Sequence, residues 1–197
     1  MSKNAPIRLI VGLGNPGREY EATRHNAGAW YVEALARQKG VRLNEDKKYS
    51  GLTGSFDVDG EKVWLLIPTT FMNLSGQATS ALANFFKIPV SQMLVAHDEL
   101  DMPPGVIRLK VGGGHGGHNG LRDIVSKHGN QKDFVRMRVG IGHPGAAHLV
   151  TPHVLGKPSQ AERDKIERAI DEALSYSGET LRGEIPKAMN ALNGFKA

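Results

Sequence analysis

The chain contains no cysteine. That absence excludes a disulfide scaffold, a thiolate–metal site and a cysteine nucleophile, and it suits a reducing compartment. No serine stands in a Gly-x-Ser-x-Gly elbow, so the hydroxyl nucleophile of the common acyl-transfer triads is missing too. No apolar run approaches the roughly 20 residues that a membrane-spanning helix needs. The run from Ile7 to Val11, which follows the polar stretch Met1 to Pro6, is also too short for a signal-peptide core. Basic residues never bunch beyond Lys47-Lys48, so there is no basic tail, and any contact with a polyanion has to be assembled by the fold. Repeats and low-complexity segments are absent. What remains is ordinary: 197 residues, 40% hydrophobic and 23% charged. This predicts one domain over 1–197 with a sizeable core, in a soluble, cytoplasmic protein with no membrane contact. The net charge of +5 and a pI near 9.5 permit an anionic partner without demanding one.

Strand and helix signals interleave along the chain. Ile7 to Gly12 reads as a buried strand, and Asn26 to Lys39 as a helix that stops before Gly40. Tyr49 to Val58 and Lys62 to Ile67 flank Asp59-Gly60, a hairpin signal. Ser75 to Phe86 reads as a helix, and Met93 to Ala96 as a second buried strand with His97-Asp98-Glu99 at its end. Val106 to Val111 alternates as a strand, Asn119 to Lys127 is a short helix, and Phe134 to Ile141 alternates again. Ser159 to Gly183 is expected to be the longest helix, with Ile166, Ile170, Leu174 and Leu181 on one side, and a last helix covers Pro186 to Leu192. The order predicts an α/β fold, a mixed twisted sheet in one domain with helices on both faces.

Gly12-Leu13-Gly14-Asn15-Pro16-Gly17 satisfies the dinucleotide-binding pattern and follows a strand. However, the helical pattern starts only near Asn26, and no acidic residue stands where a second strand would end. The segment reads better as a tight turn placing Asn15 and Tyr20 at the mouth of a cleft, and no cofactor is expected. His25 begins a helix reached from the end of one strand, and Asp98 ends another. The two are candidates to meet at the sheet edge where ligands bind in open α/β folds. An aspartate accepting an imidazole N–H fixes the tautomer and stabilises the cation formed when the other nitrogen takes a proton from water. With Asn73, this constellation points to hydrolysis by general-base catalysis. His115 and His118 in the stretch Gly112 to Gly120 are the candidates for a metal pair, but they lack an evident third ligand, so no metal is expected. Of Arg108, Lys110, Arg136 and Arg138, some are expected on solvated strand faces. Lys110, beside the glycine-rich loop, is the choice for a phosphate contact.

Several long motifs in order resemble the bacterial-type peptidyl-tRNA hydrolase family. They are Val11 to Gly17 with Tyr20, Thr23-Arg24-His25-Asn26-Ala27-Gly28, Pro68 to Gly76, His97 to Asp101, and Gly112 through Leu121. The likeness runs from about Ile7 to Gly156-Lys157-Pro158 and continues weakly beyond. The resemblance implies a monomeric, metal-independent esterase that frees peptides from tRNA stranded by abortive translation. By the family's pattern His25 activates water and Asp98 keeps it basic. Asn73 and Asn119 hold the peptide and the CCA end, and Asn15 separates N-blocked from free aminoacyl-tRNA. Tyr20, Phe71, Met72 and Gly116 fall at substrate-binding positions, and Lys110 and Arg138 at a clamp for the acceptor stem's 5′-phosphate. Two rival readings are a small metallo-hydrolase built on His115 and His118, and a non-catalytic module that binds tRNA acceptor ends. The chain departs from some relatives at Ala146-Ala147-His148, where they carry lysines, so an auxiliary tRNA contact is expected to be weaker there.

Overall fold

Leu9, Ile10 and Val11 are wholly buried, and their alternation sends Ile10 into one hydrophobic cluster and its two neighbours into another. Only a strand sandwiched between two layers does this. The computed structural model describes residues 4–197; Met1–Lys3, part of the polar N-terminal stretch, lie outside the described residues. The elements are β1 (Leu9–Gly12), α1 (Ala27–Lys39), β2 (Asn44–Asp46), β3 (Gly51–Val58), β4 (Glu61–Pro68), α2 (Ser75–Phe85), β5 (Met93–Glu99), β6 (Ile107–Val111), α3 (Asn119–Lys127), β7 (Val135–Gly140), α4 (Val150–Val154), α5 (Gln160–Leu174), α6 (Ser177–Leu181) and α7 (Ile185–Asn193). No helix among them is long and apolar enough to cross a membrane.

The sheet runs β2-β3-β4-β1-β5-β7-β6. Strands β4, β1, β5 and β7 are parallel, while β3 and β6 pair antiparallel at the two sides. The mixed sheet expected from the Asp59-Gly60 turn is therefore present, with further antiparallel pairings of β2 with β3 and of β6 with β7. Helices α1, α5 and α7 supply one cluster, with Leu35, Ile170 and Ala188 over Ile10, Leu94 and Met137. Helices α2 and α3 supply the other, with Leu82 and Ile124 over Leu9 and Val95. The C-terminal ends of the parallel strands share one rim of the sheet, where ligand crevices form in α/β folds.

One expected element is corrected. The helix foreseen over Ser159 to Gly183 is two, α5 and α6, because the turn between them is taken over by tertiary hydrogen bonds. Gln38 on α1 donates to the Leu174 carbonyl at 3.0 Å and accepts from the Ser177 hydroxyl at 2.9 Å. Tyr176 leaves helical geometry, with φ −113°. Ser159 is the N-cap of α5, not its first residue, and forms a reciprocal capping box with Glu162.

Candidate active site

The first turn of α1 lies unusually close to β5. A Cβ at Gly28 would run into the Ala96 carbonyl and sit 2.9 Å from His97 Cα. Glycine at this position brings the 3-10 turn Arg24–Asn26, which carries His25, down onto the end of β5, which carries Asp98. His25 Nδ1 lies 2.9 Å from Asp98 Oδ2, and His118 Nε2 lies 2.8 Å from Asp98 Oδ1. Asp98 is thus held between two imidazoles, its side chain only 2% exposed.

Backbone geometry assigns the protons. His118 is the N-cap of α3, and its Nδ1 accepts from the N–H groups of Gly120 and Leu121 at 3.1 and 3.3 Å. A nitrogen that accepts carries no proton, so Nε2 holds it and donates to Asp98. The remaining carboxylate oxygen accepts from His25 Nδ1–H, leaving His25 Nε2 with its lone pair. Burial alone would lift the Asp98 carboxyl, but the two imidazoles outweigh burial and hold it well below the usual carboxylate range. Burial likewise opposes the His25 cation, and the Asp98 carboxylate reverses this, so His25 is raised above an ordinary imidazole.

His25, Asp98 and His118 are also grouped closely enough for a divalent ion, with ligand atoms within 4.8 Å of one another. The chemistry of His118 opposes that use. Ligating through Nε2 would move its proton to Nδ1, against the two N–H donors at the start of α3. The expected metal candidates, His115 and His118, do not converge: His115 Nδ1 accepts from Gly117 N at 3.0 Å while His118 turns to Asp98.

The pair opens into a cleft of about 650 Å³. Its lining includes the glycine-rich loop, with Gly116 and Asn119, and Ala147, Val150, Thr151 and Val154 on α4 and the turn before it. Lys110, Arg136 and Arg138 line it as well. Of the cations, Lys110 is exposed, and Arg138 donates to Glu99 at 2.9 Å. Arg136 is not among the cations on a solvated strand face. It is 2% exposed, stacks over Phe134, and donates to the Gly113 and Gly114 carbonyls, fixing the loop. Arg108 is half-buried and donates to the Leu192 carbonyl at 2.9 Å.

A second group sits beside this cleft and is not part of its lining among the described residues. Asn15 Oδ1 accepts from Met72 N at 2.7 Å, while Asn15 N donates to Asn26 Oδ1 at 2.9 Å, so Asn15 ties the Met72 turn to the residue after His25. Tyr20 meets Phe71 edge-on at 6.1 Å, and Phe71 is 54% exposed. Met72 is buried and Asn73 is exposed on the same 3-10 turn. Asn119, which lines the cleft itself, accepts through Oδ1 from Arg122 at 2.8 Å.

Sequence reasoning missed His118 as the second partner of Asp98, Arg136 as the loop's anchor, and His97. The last is buried, packs edge-on against His118 at 5.3 Å, and is pushed down to about 4 chiefly by burial. A histidine immediately before a helix was the available signal for His118, but histidine is seldom an N-cap, so the pattern does not single it out.

The family model for peptidyl-tRNA hydrolase matches residues 9–197. The peptidyl-tRNA hydrolase of Alcanivorax borkumensis is 72% identical over 192 residues, covering 98% of each chain, and that of Azotobacter vinelandii is 60% identical over 191 residues, covering 97% of this chain and 98% of its own. The crystal structure of peptidyl-tRNA hydrolase from Acinetobacter baumannii superposes with a TM-score of 0.94 at 52% identity, covering 100% of this chain and 99% of that one. With likeness of that extent running through the strands and turns that carry the His25–Asp98 pair, the chain belongs to the peptidyl-tRNA hydrolase family.

Proposed function

We propose that this chain hydrolyses the ester between the peptide and the terminal ribose of peptidyl-tRNA, with His25 as the general base. His25 Nε2 takes a proton from water as the water oxygen attacks the ester carbonyl. The imidazolium formed is stabilised by Asp98, and it returns the proton to the departing ribose oxygen. The observation that carries this reading is the bond from His25 Nδ1 to a buried carboxylate, which leaves the opposite nitrogen free to accept. A positioned base of this kind contributes on the order of 10² to 10⁴ in rate.

Asn73 and Asn119 supply amides for the peptide carbonyl and the CCA end, and one such donor aimed at the oxyanion is worth about 3 kcal/mol. Asn15, already fixed between Met72 and Asn26, sets the selection for a blocked amino group. Tyr20 and Phe71 offer apolar surface to the substrate, buried Met72 anchors their side of the site through its bond to Asn15, and Gly116 lets backbone approach the substrate. Lys110 and Arg138 meet phosphate of the acceptor stem. The enzyme works as a single-domain monomer in the cytoplasm.

The test is turnover of N-acetyl-aminoacyl-tRNA by wild type and His25→Ala, each with and without EDTA. The expected result is EDTA-insensitive cleavage that His25→Ala reduces by about a hundredfold or more while tRNA binding persists. Loss of activity to EDTA would favour a metallo-hydrolase, and binding with no cleavage by wild type would favour a tRNA-binding module.

A further inference from the structure

Arg24, the residue before His25, is absorbed by none of the roles above, yet both of its terminal nitrogens are bonded. Its guanidinium donates to the His153 carbonyl at 3.0 Å through Nη1 and to Glu162 Oε1 at 3.3 Å through Nη2. Its backbone N–H donates to the Gly156 carbonyl at 3.0 Å. The side chain is 14% exposed. These three bonds reach one stretch of chain, the end of α4 and the start of α5; of the cleft-lining residues Ala147, Val150, Thr151 and Val154, that stretch holds Val154, and the others precede it on α4 and the turn before it.

We infer that Arg24 is a positioning residue that fixes the distance between His25 and the α4 wall of the cleft, and so the orientation of substrate held between them. Helix α4 has five residues, too few to be stable by its own hydrogen bonds. Its wall residues Val150, Thr151 and Val154 therefore depend on what holds its ends. At the C-terminal end the backbone carbonyls carry partial negative charge, and the Arg24 cation meets that of His153, which also accepts from Gly156 N at 3.1 Å. The ring of His153 is bonded in turn to the Gly142 carbonyl at 2.9 Å, just after β7. Glu162 is held by the Ser159 N–H as well as by Arg24, and these bonds keep its carboxyl below the usual range. The absence of a side chain at Gly156 makes room, since a Cβ there would stand 3.1 Å from Arg24 Nη1. The turn that carries His25 and the end of α4 are thus joined by the Arg24 side chain together with its backbone N–H.

This inference rests on the reading of the cleft as the substrate site. It predicts that Arg24→Gln, with the wall loosened, must order it on binding: KM for N-acetyl-aminoacyl-tRNA rises about tenfold, the effect expected from losing a charge-assisted hydrogen bond. The pH dependence of kcat stays where it is, because the His25–Asp98–His118 bonds do not pass through Arg24. Arg24→Lys, which keeps one cationic donor, recovers part of the loss. Gly156→Ala, whose Cβ crowds the Pro152 carbonyl of α4 at 3.0 Å as well as the guanidinium at 3.1 Å, disturbs the same junction without removing Arg24, raises KM in the same direction and serves if Arg24→Gln does not fold. Amide hydrogen exchange speeds up selectively over residues 147–156.

Folded variants with wild-type KM, or a shifted kcat–pH profile, would overturn the inference. The first would make Arg24 merely structural, and the second would make it an electrostatic neighbour of His25. Because His25→Ala separately tests the base, normal kinetics in the Arg24 variants beside an inactive His25→Ala would sink this inference alone.

Discussion

His118 is asked to do two things with one ring: cap α3 through Nδ1 and donate to Asp98 through Nε2. Those tasks are separable. His118→Ala removes both, and loses about 1 kcal/mol of stability from the cap together with roughly ten- to hundredfold in kcat/KM from the bond to the carboxylate. His118→Asn restores a good cap on too short a side chain to reach Asp98, so urea unfolding recovers while the rate does not. An Asn variant at wild-type rate would show that the second imidazole is idle in catalysis. The legible part of the site was the part with a one-dimensional signature. His25 and Asp98 stand at the ends of two apolar runs, and strand-end chemistry in an α/β pattern predicts that they converge. His118 was visible only as one of two loop histidines. Its partner lies 20 residues away across the fold, so spacing carried no trace of it.

At the scale of elements, most strands and helices were legible because their apolar pattern is simple: unbroken along β1 and the start of β5, helically spaced in α3. The failures have a common cause. Ser159 to Gly183 keeps helical periodicity through Leu174 and Leu181, but Gln38 on another helix claims the Leu174 carbonyl and the Ser177 hydroxyl, and local pattern cannot anticipate a competitor from so far away. Helix α4 and strand β2 were not foreseen, being five and three residues long. Nothing local set Arg136 apart from Arg108, Lys110 and Arg138, since lysine and arginine at alternate strand positions are usually solvated. Here the glycine-rich loop folds back over that face and presents its carbonyls to the guanidinium.

Across the whole molecule, three buried groups near the site should leave a mark on the dependence of stability on pH. The His97 imidazole is pushed down from 6.5 to about 4, so between those values the unfolded chain binds a proton that the folded chain does not, and stability falls as pH drops through that window. Asp98, held low, adds a further loss below its unfolded value near 4, as pH falls toward its folded value. His25 is raised, so its contribution is fully present below 6.5 and is lost as pH climbs through its folded value. Urea midpoints should therefore peak near neutrality, and His97→Gln should flatten the acid side; a wild-type midpoint that does not change from pH 4 to 6.5 would contradict this. The account as a whole turns on the His25–Asp98 pair, and single-turnover cleavage of N-acetyl-aminoacyl-tRNA as a function of pH by wild type and Asp98→Asn reads that pair directly. In wild type the rate should rise with pH through a midpoint above 6.5, while Asp98→Asn should be slower by about a hundredfold or more on its plateau and have its midpoint moved to lower pH. A wild-type profile without that limb, or one that Asp98→Asn leaves in place and undiminished, would contradict it.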